Sequence, residues 1–160
     1  MLYSTAIRRK EVADIKIEDV DTEMGYITIT IREGKGGKDR VVPLGESVCV
    51  LIDRYLLDIR PGWINAKDPY LFLNRFGHGM HPKAIWEIVR KYSRLAGLDK
   101  PISPHTFRHS CATHMLRAGA PIRHLQEMLG HASLATTQIY TKITINDLRE
   151  AHKKFHPREQ

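Results

Sequence analysis

Apolar and polar positions recur along this chain with two different periods, and the switches between them divide it into elements. The opening STAIRRKEVADI places Ile7, Glu11, Val12 and Ile15 at helical spacing. YITITIR at 26–32 then sets Ile27, Ile29 and Ile31 against Tyr26, Thr28 and Thr30, the period of two expected of a strand. GKGG at 34–37 reads as a turn and DRVVPL at 39–44 as the returning strand, so the segment predicts a hairpin. SVCVLIDRYLLDI at 47–59 is an amphipathic helix stopped by Pro61-Gly62. A short extended piece, YLFLN, precedes the turn RFGHG. Helices follow over 82–96, through HTFRHS, from Pro121 to Leu129 and from Ser133 through Tyr140. A last helix, INDLREAHKKF, closes the pattern before Pro157. The succession predicts one mostly helical α+β domain with a small antiparallel β-sheet.

Composition narrows the class only slightly. A chain of 160 residues that is 42% hydrophobic can bury a real core. No apolar run reaches the roughly 18 residues that a membrane-spanning helix needs. Two cysteines, Cys49 and Cys111, sit inside apolar helical patterns, as reduced core thiols of a cytoplasmic protein would. The net charge of +7 favours a polyanionic partner, chiefly nucleic acid, without requiring one.

The stretch SPHTFRHS at 103–110 concentrates the chemistry. Ser103 suits an N-cap, Pro104 suits the first helical position, and Gly119 marks the far end of the helix. On that helix His105, Arg108 and His109 share one face, while Phe107, Cys111, Met115 and, less squarely, Leu116 form an apolar stripe beside it. Such a face suits a solvated surface, a metal site or an anion site. Metal is disfavoured: CxxC and HExxH are absent, His105/His109 and His124/His131 lack an acidic third ligand nearby, and Arg108 would repel a cation. No GxSxG motif occurs, and GKGG lacks the spacing of a phosphate loop. MLRAGAPIRHLQEMLGHASLATTQIY has the form of two helices joined at Gly119, a pattern shared by DNA readers and many other helical pairs.

Four motifs occur together. TAIR-x-x-E at 5–11, GKGGKDR at 34–40, HTFRH at 105–109 and LGHASLATTQIYT at 129–141 resemble, in the same order, those of the tyrosine recombinases of the phage-integrase family. The tail LREAHKKFHP is similar to the ends of Xer-type members, which resolve chromosome dimers. The resemblance covers nearly the whole chain. It implies the catalytic-domain fold of DNA breaking-rejoining enzymes, with phosphate-binding arginines at Arg8 and Arg108, a hairpin lysine at Lys35, histidines at His105 and His131, and the nucleophile at Tyr140. Two positions depart from the family pattern: Ala6 stands where glycine is usual, and Lys10 where serine is usual.

These residue types suit that reaction. Attack on a phosphodiester adds charge to its non-bridging oxygens, which two arginines can hold as permanently charged donors. Tyr140 is a weak nucleophile while protonated, and a cationic site lets it lose its proton as it attacks, giving a tyrosyl phosphate ester. The resemblance implies a 3′-phosphotyrosine and no need for metal, ATP or any other cofactor. Lys35 can protonate the departing 5′-oxygen, His105 can exchange the nucleophile's proton, and His131 can hydrogen-bond the phosphate.

Further expectations follow. Arg9, Lys10, Lys38 and Arg40 are read as contacts to backbone phosphates of double-stranded DNA. His109 is read as a buried, hydrogen-bonded histidine. His114, His124, His152 and His156 are read as surface or packing residues, and Tyr3, Tyr26, Tyr55, Tyr70 and Tyr92 as packing. The resemblance implies a homotetramer on DNA with exchange of the C-terminal helix. It also implies that 1–160 form a single catalytic domain without the family's N-terminal DNA-clamping domain and without the first helix or two of the catalytic domain, so that recombination by this chain alone is weak. A catalytically idle DNA-binding remnant and a helix-turn-helix regulator built on 112–140 remain as alternatives.

Overall fold

A computed structural model of the chain describes residues 1–21, 28–32, 39–63, 68–130 and 145–157. The hairpin turn with Lys35 and Lys38, the expected helix over 133–140, His131 and Tyr140 lie outside the described residues.

The helices are α1 (Leu2–Thr5), α2 (Arg9–Asp14), α3 (Glu46–Arg54), α4 (Pro82–Leu95), α5 (Pro104–Arg117), α6 (Ile122–Leu129) and α7 (Ile145–Phe155). Strands β1 (Val20–Asp21), β2 (Thr28–Ile31) and β3 (Arg40–Pro43) form an antiparallel sheet in the order β1-β2-β3. In the β2–β3 ladder Ile29 pairs with Val42 and Ile31 with Arg40. Ile29, Ile31 and Val42 face the core, whereas Val41 is exposed, as the alternation predicts. The first strand is absent from the sequence pattern because two residues are too few to display a period.

The expected helix over 47–59 is not one regular helix. After Arg54 it widens into a π-helical turn, Tyr55–Ile59, then tightens into a 3-10 turn over Arg60–Gly62. Buried Arg60 donates to the carbonyls of Asp68 and Tyr70, which ties the next segment to the helix end. YLFLN forms isolated bridges, Lys16 with Tyr70 and Leu73 with Gly79, in place of a strand, while Leu71 and Leu73 are buried.

The core joins the sheet to the helices through Ile7, Val12, Ile29, Leu71, Cys111, Met115, Leu125 and Met128. Helix α5 packs on α1, α2 on α4, and α7 lies against β3, α5 and α6 of its own chain. His152 and His156 on α7 are buried and stacked, with ring centroids 4.6 Å apart. Their Nε2 atoms lie 2.8 Å from the Ser4 carbonyl and 3.4 Å from the Tyr3 carbonyl. The packing role is theirs; Tyr92, by contrast, is largely exposed and does not pack as expected.

Candidate active site

Arg8 sits at the N-cap of α2 with extended backbone, and Glu11 three residues later reaches back to its backbone N–H, the half of a capping box that an arginine N-cap allows. One Glu11 oxygen accepts the Arg8 backbone N–H at 2.6 Å, and the other accepts Arg8 Nη1 at 2.7 Å. The residue pair is therefore locked before any ligand arrives. Ala6, just upstream, has a φ of +52°. This left-handed backbone is the physical reason that glycine suits the position, since a Cβ there is strained.

Arg108 comes from the other half of the chain. Ser103 caps α5 by accepting the Thr106 N–H, with Pro104 first in the helix. One turn on, Arg108 donates Nη1 to the Ala6 carbonyl at 2.6 Å and Nη2 to the Leu129 carbonyl at 2.7 Å. Arg8 Nη2 reaches the neighbouring Gly130 carbonyl at 3.3 Å. Arg40 on β3 donates Nε to the Met128 carbonyl at 3.1 Å. Three consecutive carbonyls at the end of α6 thus each receive a different arginine. They are carbonyls that a helix end leaves without intrahelical partners, at the negative end of its dipole.

The charges do not balance. Arg40 also grips Glu11 with Nη1 at 3.0 Å and Nη2 at 2.8 Å, so one carboxylate serves both Arg8 and Arg40. Among the described residues, three guanidinium groups share this one carboxylate, Arg8 and Arg40 by contact and Arg108 through its charge, leaving two positive charges for a bound anion or solvent to compensate. Burial, and after it the positive charge of Arg8, pull the Arg108 guanidinium down to about 10. It remains protonated at neutral pH. Burial pushes the Cys111 thiol, on the next turn, up to about 12, so that sulfur is not a competing nucleophile.

Several expectations are thereby located. Arg8 and Arg108 meet at the end of α6, and His105 stands exposed on the first turn of α5, one turn before Arg108. Arg9 and Lys10 are exposed on α2. Two readings need correction. His109 is exposed, not buried, because it falls outside the stripe that Cys111 and Met115 press into the core. Arg40 was expected to face DNA, but its side chain is only 9% exposed and its guanidinium turns inward to Glu11 and Met128. Glu11 was not singled out as a site residue; its signal was the three-residue spacing after Arg8.

Fold and site together define the class, a mostly helical α+β domain holding arginines from both halves of its chain around one helix end with surplus positive charge. The profile described as "Phage integrase family" matches residues 1–146. The chain belongs to the phage integrase family. It is 42% identical over 160 residues to tyrosine recombinase XerD of Listeria monocytogenes serotype 4b (strain F2365), covering 99% of this chain and 53% of that protein. It is 46% identical over 157 residues to tyrosine recombinase XerC 2 of Ralstonia nicotianae, covering 98% and 45% respectively. The chain thus spans about half the length of these relatives. Among solved structures, XerA recombinase aligns with a TM-score of 0.73 and 38% identity, over 98% of this chain and 56% of that one. XerH site-specific recombinase bound to its difH substrate, in a pre-cleavage complex, aligns with a TM-score of 0.69 and 32% identity, over 82% and 37%.

Proposed function

We propose that this domain is the catalytic part of a site-specific DNA recombinase that cleaves and rejoins strands through a covalent 3′-phosphotyrosyl intermediate. The observation that carries the reading is the meeting of Arg8 and Arg108, one hundred positions apart, on adjacent carbonyls of one helix end with unbalanced positive charge. A phosphodiester supplies the missing negative charge, and charge added during attack strengthens the interaction.

In this reading Tyr140 attacks phosphorus, forming the tyrosyl ester and breaking the bond to the 5′-oxygen. Lys35 protonates that oxygen as it leaves. His105 exchanges the tyrosine proton, and His131, next in sequence to Gly130, hydrogen-bonds the phosphate. The ester conserves the energy of the broken bond, so a different 5′-hydroxyl can reverse the steps and exchange strands. Exposed Arg9 and Lys10, with Lys38, hold backbone phosphates. The active assembly is a homotetramer on double-stranded DNA in the cytoplasm, in which α7 leaves its own domain for a neighbour's. Support for the DNA partner comes from the XerH complex and from the basic charge of the chain.

A duplex carrying a nick beside the cleavage position tests the reading, because the short product diffuses away and traps the adduct. The chain forms a covalent protein–DNA adduct that Tyr140→Phe abolishes. Binding without adduct, or an adduct that survives Tyr140→Phe, overturns it.

A further inference from the structure

We infer that Arg40 is a positioning residue for the phosphate-binding arginines, not a contact to DNA. The inference rests on the recombinase reading for its effect on rate, and on geometry alone for the linkage itself.

Arg40 makes three directed contacts that only a planar fork can make together. Two nitrogens hold both oxygens of Glu11, at 3.0 and 2.8 Å, while the third donates to the Met128 carbonyl at 3.1 Å. Both side chains of the pair are 9% exposed. Glu11 passes the constraint to Arg8 through its 2.7 Å contact with Nη1. Gly130 passes it to the chain leading into His131. A Cβ on Gly130 would lie 2.9 Å from Cζ, Nε and Nη1 of Arg40, so the guanidinium fits against this residue only because it is glycine. The φ of +60° at Gly130 independently favours glycine.

The linkage joins distant parts of the proposed machinery. Arg40 is the first residue of β3, five positions after Lys35 in the sequence. Its partners are 29 positions before it and 88 after it. A displacement of β3 therefore moves the carboxylate that orients Arg8 and the carbonyl at the end of α6. Lysine keeps the charge but loses the fork, so it cannot replace Arg40 here.

Two measurements test this, one independent of catalysis. On the nicked duplex, Arg40→Lys and Arg40→Ala slow adduct formation about 10- to 100-fold, the loss seen when a residue that orients a metal ligand is removed and taken over here by analogy. Any loss of noncovalent affinity, from an Arg8 held less well, is the same at every salt concentration, so the salt slope stays unchanged, and methylguanidine restores rate to Arg40→Ala but not to Arg40→Lys. A weaker affinity with the slope reduced by about 0.9 makes Arg40 a phosphate contact and overturns the inference.

The second measurement is a thermal-unfolding cycle. Gly130→Ala lowers Tm at least about twofold more in the Arg40 protein than in the Arg40→Ala background, because only the first contains the clash. Equal losses in both backgrounds overturn the linkage. Should Arg40→Ala not fold, Arg40→Ser serves as the second background, since its side chain ends well short of the Nε position that the added Cβ would meet. Absence of adduct from the parent chain counts against the recombinase reading, while the thermal cycle still decides whether Arg40 and Gly130 are linked.

Discussion

Removing the Glu11 carboxylate leaves two arginines without the group that holds them apart from each other and from water. In Glu11→Ala, Arg40 stays charged at 9% exposure with the Met128 carbonyl as a remaining acceptor, and the Arg8 backbone N–H loses its capping partner. Breaking a buried ion pair from one side costs about 3–5 kcal/mol. Loss of a helix cap costs about 1 kcal/mol. With the exposed edge of Arg8 able to recover solvent, a total of about 4 kcal/mol is expected, which lowers Tm by roughly 8–16 °C for a domain of this size. Urea unfolding measures it directly, as a lower midpoint with an unchanged slope. The pH dependence supplies the sign. Burial pushes the Glu11 carboxyl up, but hydrogen bonds from Arg40 and then Arg8 outweigh it and hold the group below its ordinary 4.5. A group with a depressed folded pKa stabilises the fold fully above its unfolded value and loses that stabilisation as pH falls through the folded one. The gap between the parent chain and Glu11→Gln is thus widest at neutral pH and closes below about pH 4.5. A loss under about 1 kcal/mol at pH 7, or a gap that does not change down to pH 3, refutes the reasoning.

Two further outcomes are expected. Arg9→Ala and Lys10→Ala each weaken DNA binding and reduce the slope of log affinity against log salt by about 0.9, measured by titration at several salt concentrations; an unchanged slope removes them from the DNA interface. Lys35→Ala slows cleavage by about 10²- to 10⁴-fold on an ordinary duplex, but not on one whose 5′-bridging oxygen is sulfur, because a thiolate leaves without needing a proton; equal losses on both substrates mean that Lys35 is not the general acid.

Local signals were legible in the sequence. Ser103, Pro104 and Gly119 bound α5 through chemistry confined to a few neighbouring residues, and Ile29 and Ile31 declare a buried strand face by alternation alone. What escaped depends on distant partners. Arg40 looked like one more basic residue near a hairpin tip, and only Glu11 and Met128 turn it inward. The exposure of His109 depends on which side of α5 meets the core, which its spacing from Arg108 does not decide. The π-helical turn at Tyr55–Ile59 leaves the amphipathic pattern intact and so has no signature in it. The pairing of Arg8 with Arg108 was accessible only through the resemblance of whole motifs, since no rule of spacing brings residues a hundred positions apart together.

The arrangement at the end of α6 makes this region tolerant in one way and brittle in another. Arg40, Arg108 and Arg8 recognise main-chain oxygens at 128, 129 and 130, so these contacts depend on the spacing of the residues and not on the side chains that Met128 and Leu129 carry. Adding or deleting a single residue there turns each helical carbonyl by about 100° and hands every arginine the wrong neighbour. The length of this stretch is therefore fixed by the arginines, while burial in the core keeps positions 128 and 129 apolar and the close approach of Arg40 keeps position 130 glycine.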